Sequence, residues 1–190
     1  MKKTIVLAFL CSAFNEEGNL MELHRRCREV HAQLEKEYSD QVDLRFHMVV
    51  ADNGSEDSTL LVLEDIKRRD PALDVLIHRR NYGVEASGGN LIAQAKNFDI
   101  SVCLCSDLQD PPEMIPVFLR KWEEGWENVY GIVTKREGTG PIRTFNSKAF
   151  YWLAGKLTDG KIPRNASDFR LVDRVVYETV RDMRERNRFV

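Results

Sequence analysis

The chain has 190 residues, 43% of them hydrophobic and 31% charged, which gives room for one domain with a real core and too little for two. A formal net charge of -2 excludes a global basic field for nucleic acid, so any phosphate-bearing partner has to be met by a local cluster. No run approaches the eighteen or more apolar residues of a membrane span. In chain order, Thr4–Cys11 is a continuous apolar run, suited to a strand buried on both faces. With Lys2 and Lys3 before it the run resembles a signal peptide, but it is short and Phe9 and Leu10 are large where processing wants small residues, so the strand reading is preferred. Glu17 to about Lys36 carries Leu20, Leu23, Cys27, Val30 and Leu34 at helical spacing. Leu44–Ala51 reads as a second strand, Ser58–Arg69 as a helix, Asp74–His78 as a third strand, and Glu85–Asn97 as a helix despite its glycines.

Ile100–Cys105 is expected to be a fourth strand, with Cys103 and Cys105 on one of its faces. The four cysteines lack a metal-ligand spacing and are expected to be buried, reduced thiols. Asp110-Pro111-Pro112-Glu113 has the grammar of a helix start: an acidic N-cap, proline in the first turn and a carboxylate three residues on. That helix is expected to end at Gly125. Asn128–Thr134 reads as a fifth strand, 135–141 as a loop, Thr144–Leu157 as a helix, 158–166 as a loop, Phe169–Val172 as a short strand, and the remainder as a terminal helix. The rhythm predicts an α/β fold, with a mainly parallel, Rossmann-like sheet flanked by helices.

Open α/β sheets bind ligands in the crevice beyond the carboxyl ends of their strands. Polar segments follow each of the first four strands there: Ser12–Glu17, Ala51–Thr59, Arg79–Gly83 and Ser106–Glu113. Singly, each reads as caps and turns, and Asp110 and Glu113 are better capping groups than catalysts. Capping does not account for Asp52 and Asp107, each at a strand end beside amide or carbonyl residues. A nucleotide diphosphate with a divalent ion needs such groups.

Together and in this order, the four segments and Asp168-Phe-Arg-Leu171 resemble family 2 glycosyltransferases of the GT-A fold, over essentially the whole chain. The resemblance is to the branch acting on polyprenyl phosphates, which includes dolichyl-phosphate mannose synthase and bactoprenol glucosyltransferase. It implies one GT-A catalytic domain over residues 1–190, with a nucleotide-binding half at about 1–110 and an acceptor half at about 111–190. By position, Asn15 and Glu17 fall in the nucleotide-lining N-E-E motif, Asp52 on the base-contacting aspartate of D-D-G-S, and Asn81 in the N-x-G turn near the nucleotide. Asp107 matches the second acid of D-x-D and Gln109 the glutamine that can join the metal shell, so the implied cofactor is Mg²⁺ or Mn²⁺. Asp168 falls where an acid near the acceptor is expected, a candidate catalytic base, and Arg136, Arg143 and Arg170 are candidates for an acceptor phosphate.

The resemblance further implies an inverting hexosyl transfer from a nucleotide sugar, with UDP favoured over GDP, to a polyprenyl phosphate of the cell envelope. It implies a location at the cytoplasmic face of the membrane, with hydrophobic segments following the domain; the stop at Arg188-Phe189-Val190 is accordingly read as a truncation. A homo-oligomer stays open. There are departures: Ser12 stands for a proline, Asn53 for the second aspartate of D-D-G-S, and Cys105 for the first acid of D-x-D, where a thiol is a poor ligand for hard cations. Weaker metal binding is the expected consequence. The alternatives are a family 2 transferase acting on a hydroxyl acceptor, with Asp168 as a true base, and a nucleotide-sugar-binding pseudoenzyme. A dinucleotide-binding Rossmann protein is set aside because no GxGxxG follows the first strand.

Overall fold

The computed structural model describes residues 2–95, 97–132 and 166–181. The chain divides into two compact units, Met1–Val129 with Phe169–Val190, and Tyr130–Asp168. Of the second unit, the described residues are 130–132 and 166–168, and they belong to two strands.

The elements are β1 (Lys3–Ala13), α1 (Leu20–Glu37), β2 (Val42–Asp52), α2 (Thr59–Arg69), β3 (Leu73–Ile77), α3 (Val84–Ala95), β4 (Ile100–Cys103), a 3₁₀ turn (Pro112–Met114) running into α4 (Ile115–Glu123), β5 (Asn128–Ile132), β6 (Ala166–Asp173) and α5 (Arg174–Arg181). Among the described residues the sheet has six strands in the order β3-β2-β1-β4-β6-β5. β1 is parallel to β2 and β4, β2 is parallel to β3, and β6 runs antiparallel to β4. This is the mixed, mainly parallel sheet that the alternating apolar and amphipathic runs predict.

From Ile5 to Cys11 β1 is apolar because it is covered on both sides. Leu7, Phe9, Cys11 and Ala13 meet Leu20, Leu23, Cys27, Val30 and Leu34 of α1, so the five positions read from helical spacing are the face that α1 buries. Ala8 and Leu10 point the other way, toward Leu91 and Ala95 of α3 and Tyr177 of α5. Phe9 stacks on Phe46 with ring centroids 5.0 Å apart. Removing a fully buried side chain such as Phe9 or Leu7 from this layer would cost about 2–5 kcal/mol.

The termini of several elements differ from the sequence expectation. α1 begins at Leu20 rather than Glu17, because the residues before it bond to the loop after β2. β4 ends at Cys103, which leaves Cys105 exposed beyond the strand instead of sharing a face with Cys103. All four cysteines are thiols, but only Cys11 and Cys27 are buried. Asp110 is not an N-cap: its carboxylate turns back to accept from the Cys105 amide at 2.8 Å, and α4 is entered through the 3₁₀ turn without a side-chain cap. The Gly125 stop is as predicted. Gly125 has φ +98, and the Gly125 and Trp126 amides donate to the Trp122 and Lys121 carbonyls at 2.9 and 3.2 Å. That is the paired closure of a helix on a left-handed glycine. The expected elements between 135 and 165 lie outside the described residues, as does the chain end from 182. Among the described residues no helix is long and apolar enough to cross a membrane.

Candidate active site

Strand order places the crevice. From β1 the chain passes to β2 and β3 on one side, then returns to set β4 on the other, so the order reverses between β1 and β4. Doubly wound sheets bind ligands beyond the carboxyl ends of the strands at that reversal. Asp52 pairs with Ala13 in the β1–β2 register. On the other flank, Cys103 pairs with Leu10, the Leu104 amide donates to the Leu10 carbonyl at 3.1 Å, and the Ser106 hydroxyl donates to the Ser12 carbonyl at 2.9 Å. Asp52 and the Ser106–Asp107 segment therefore flank the same end of β1. Two strand spacings separate their backbones, about 10 Å.

The loops after β1 and β2 are laced together. Asn15, at φ +56, takes the left-handed conformation that asparagine tolerates. Its amide donates to Ser55 Oγ at 3.0 Å, and its Oδ1 accepts from the Glu56 amide at 2.8 Å. The Glu16 amide donates to Thr59 Oγ1 at 2.8 Å. Glu17 Oε2 accepts the Ser58 amide at 2.8 Å, which places a carboxylate on the N-terminus of α2, while the Glu17 amide donates to Asp57 Oδ2 at 3.3 Å. Desolvation raises the Asp57 carboxyl, but hydrogen bonds from Thr59 and Glu17 outweigh it and hold the group below its ordinary range. Asn15 and Glu17 thus hold the loops after β1 and β2 to each other. Asp52 is buried and accepts from the Ser55 amide at 3.2 Å.

Asn81 lies at the same edge, in the loop after β3, where its Oδ1 accepts from the Gly83 amide at 2.8 Å. That loop rests on Gly54. A β-carbon on Gly54 would lie 2.5 Å from the carbonyl carbon and 2.6 Å from the Cα of Arg80, and Gly54 has φ +75. Only glycine meets both demands.

The segment after β4 is closed on itself. Asp110 reaches back to the Cys105 amide, Asp107 Oδ1 accepts from the Gln109 amide at 3.1 Å, and Leu108 between them has φ +63. A bulky residue in that conformation costs about 1–2 kcal/mol and persists only where its surroundings hold it. From the far side, Arg26 of α1 makes a two-pronged contact with Glu113, through Nε to Oε1 at 2.8 Å and through an Nη to Oε2 at 2.5 Å. The hydrogen bond from Arg26 lowers the Glu113 carboxyl below its usual range. The sequence reading missed Asp110, Glu113, Ser55 and Thr59 as site-shaping residues. The partners of Glu113, Ser55 and Thr59 lie 40 to 87 residues away, and Asp110 bonds back to Cys105 instead of forward to the helix, so no local spacing signals them.

Asp107 and Gln109 are exposed, and among the described residues no three His, Cys, Asp or Glu side chains converge as a metal cage. One outward carboxylate beside a side-chain carbonyl suits Mg²⁺ or Mn²⁺ of the kind that shares its coordination with substrate phosphates and water. The residues fit a cation that arrives with a diphosphate. Cys11, buried in β1, is pushed up to about 12 by burial and by Cys105, Cys103 and Glu16, so it stays a neutral thiol.

Of the remaining candidates, Arg170 sits on β6 opposite Cys103, at the site end of β4. Asp168 is exposed on β6 within the second unit. Arg136 and Arg143 lie outside the described residues.

Comparison with known proteins agrees with this geometry. Residues 10–181 match the family model described as glycosyl transferase family 2. The chain is 34% identical over 187 residues to the uncharacterized glycosyltransferase sll0501 of Synechocystis sp., covering 98% of this chain and 56% of that protein. It is 30% identical over 184 residues to a prophage bactoprenol glucosyl transferase homolog of Escherichia coli, covering 97% and 57% respectively. The chain thus spans a little over half the length of these relatives. Among solved structures, glucosyl-3-phosphoglycerate synthase from Mycobacterium tuberculosis, in complex with Mn²⁺, UDP-glucose and phosphoglyceric acid, superposes with a TM-score of 0.57 at 19% identity, covering 90% of this chain and 58% of that one. That likeness identifies the fold as GT-A.

Proposed function

The chain belongs to glycosyl transferase family 2, and on that premise we propose that it transfers a sugar, with inversion, from a UDP-sugar to a polyprenyl phosphate. The observation that carries the reading is the placement of Asp52 and Asp107 at the two flanks of one strand end, at the order reversal of the sheet. In this reading Asp52, Asn81, Asn15 and Glu17 form the nucleoside end of the donor site, and Asp107 with Gln109 the diphosphate end. A divalent cation held by Asp107 and Gln109 would offset the charge that develops on the departing nucleotide diphosphate.

The chain's own part is binding and orientation. The closed segment Cys105–Asp110 holds the Asp107 carboxylate at the crevice without rearrangement, so little ordering cost falls on the reaction. The acceptor phosphate attacks the anomeric carbon from the face opposite the leaving group, which inverts that centre. With a second pKa of about 6, a phosphate monoester is largely dianionic at neutral pH. No strong base is then required, and Asp168 orients groups at the acceptor rather than removing a proton. Arg170 supplies a guanidinium fork of the kind that suits a phosphate. The name of the Escherichia coli relative supports the lipid acceptor, and with it a working position at the cytoplasmic face of a membrane.

The test is transfer of labelled sugar from a panel of UDP- and GDP-sugars to a short-chain polyprenyl phosphate, with the unsubstituted chain and Asp107→Ala. Transfer from a UDP-sugar that Asp107→Ala abolishes, with the melting temperature unchanged, is the expected result. Equal turnover by Asp107→Ala would remove Asp107 from the mechanism; binding of nucleotide without transfer to any acceptor would make the chain a nucleotide-sugar-binding protein.

A further inference from the structure

Asn53 departs from an aspartate in the family pattern, and its surroundings specify why an amide stands there. The residue is buried, with 4% of its surface exposed. Its backbone amide donates to the Ala13 carbonyl at 2.8 Å, which ties it to the end of β1. Its side chain reaches the loop after β3. Asn53 Oδ1 accepts from the Tyr82 amide at 3.1 Å and from His78 Nδ1 at 3.1 Å, while Asn53 Nδ2 donates to Asn81 Oδ1 at 2.9 Å.

The backbone donors fix the identity of each atom. The Tyr82 amide can only donate, so the atom of residue 53 that faces it is an acceptor. The Gly83 amide can only donate, so the atom of Asn81 that faces it is an oxygen. That same oxygen faces the second terminal atom of residue 53, which must therefore donate. An amide presents that acceptor and that donor, whereas an ionised carboxylate presents two acceptors. A carboxylate would set oxygen against oxygen at 2.9 Å. Turning the Asn81 amide to relieve that clash would set its Nδ2 against the Gly83 amide. The network continues outward, since His78 Nδ1 carries the proton donated to Asn53 and His78 Nε2 lies 2.9 Å from Asn90 Nδ2 of α3.

We infer that Asn53 is a positioning residue of the donor site, whose side-chain amide, as an amide, locks the 79–83 loop and with it Asn81 onto the Gly54 seat. The inference rests on the donor-site reading above and deepens it: the nucleoside end of the pocket is assembled by neutral hydrogen bonds, where the family pattern would place a charge. Asn53 need not touch the nucleotide, and its effect falls on donor binding rather than on bond breaking.

The experiment compares the full chain with Asn53→Asp, which keeps both acceptor bonds but turns the donor facing Asn81 Oδ1 into a second acceptor. Three quantities are read: hydrogen exchange of the amides in 79–83 without ligand, affinity for UDP with Mn²⁺, and the division of steady-state transfer between KM and kcat. One neutral hydrogen bond corresponds to about a fivefold change. With an oxygen left facing an oxygen, Asn53→Asp is therefore expected to exchange at least about fivefold faster in this loop and to bind UDP and donor at least about fivefold more weakly, with kcat at saturating donor within about twofold of the original. Faster exchange with UDP affinity unchanged would overturn the positioning role, and unchanged exchange would overturn the lock itself. UDP binding to neither form would remove the donor-site reading while leaving the exchange result to judge the lock. Should Asn53→Asp fail to fold, the unsubstituted chain still decides. The side-chain amide protons of Asn53 are expected to exchange as slowly as buried backbone amides, and exchange at the solvent rate would refute the inference.

Discussion

Gly54 and Gly83 offer a controlled comparison, because both hold left-handed backbone and differ only in what surrounds them. Gly54 has φ +75 with the Arg80 and Asn81 backbone 2.5–2.9 Å from where a β-carbon would stand; Gly83 has φ +87 with nothing within 4 Å. Alanine at Gly83 meets only the conformational cost, about 1–2 kcal/mol. Alanine at Gly54 meets the same cost and must also displace a backbone that has no flexible end to yield, which adds about 1–3 kcal/mol on the scale of overpacked cores. Gly54→Ala is therefore expected to be the less stable of the two by about 1–3 kcal/mol in urea denaturation. At roughly 2–4 °C per kcal/mol for a domain of this size, the difference is also visible in melting temperature. Moving the 79–81 backbone displaces Asn81, so Gly54→Ala is further expected to weaken UDP binding while Gly83→Ala, which leaves the seat intact, weakens it less. Equal destabilisation by the two substitutions would refute the argument that the loop rests on Gly54.

Other substitutions test other parts of the structure. Burial raises the Asp70 carboxyl, but hydrogen bonds from Arg28, His24 and the Ala72 amide outweigh it and bring the group from 3.8 to about 2. Because the folded value is the lower one, the stability it contributes, about 2 kcal/mol, is present above the unfolded value and is lost as pH falls through the folded one. The stability gap between the original chain and Asp70→Asn is thus expected to be full at pH 6, mostly lost by about pH 2 and gone by about pH 1, and a gap independent of pH would contradict the assignment. Cys105→Asp is expected to tighten Mn²⁺-dependent UDP binding, on the order of tenfold, by supplying a second hard oxygen donor. Calorimetry showing no tightening would mean that residue 105 does not face the cation.

How much of this was legible beforehand varied with the range of the interactions involved. β1 could be read because a strand covered on both sides announces itself as a continuous apolar run, and the buried face of α1 because its five core positions follow helical spacing. The strand-end location of the candidate site followed from the alternation of elements, before the order of strands was known. Element ends were less legible. Helix grammar at Glu17 and Asp110 suggests capping, whereas Glu17 bonds across to Ser58 and Asp110 back to Cys105. The strand expected to run to Cys105 stops at Cys103, after which the Leu104 amide makes the last backbone hydrogen bond to β1 and the segment turns. Asn53 was read as a departure from a motif; its partners are 25 to 29 residues away, and only the fold brings them within reach.

Calorimetry of UDP with the unsubstituted chain and with Asp107→Ala, each with and without Mn²⁺, tests the donor pocket most directly. The account predicts binding strengthened by Mn²⁺ in the original chain and insensitive to Mn²⁺ in Asp107→Ala. Mn²⁺-dependent affinity that survives the loss of Asp107 would contradict it.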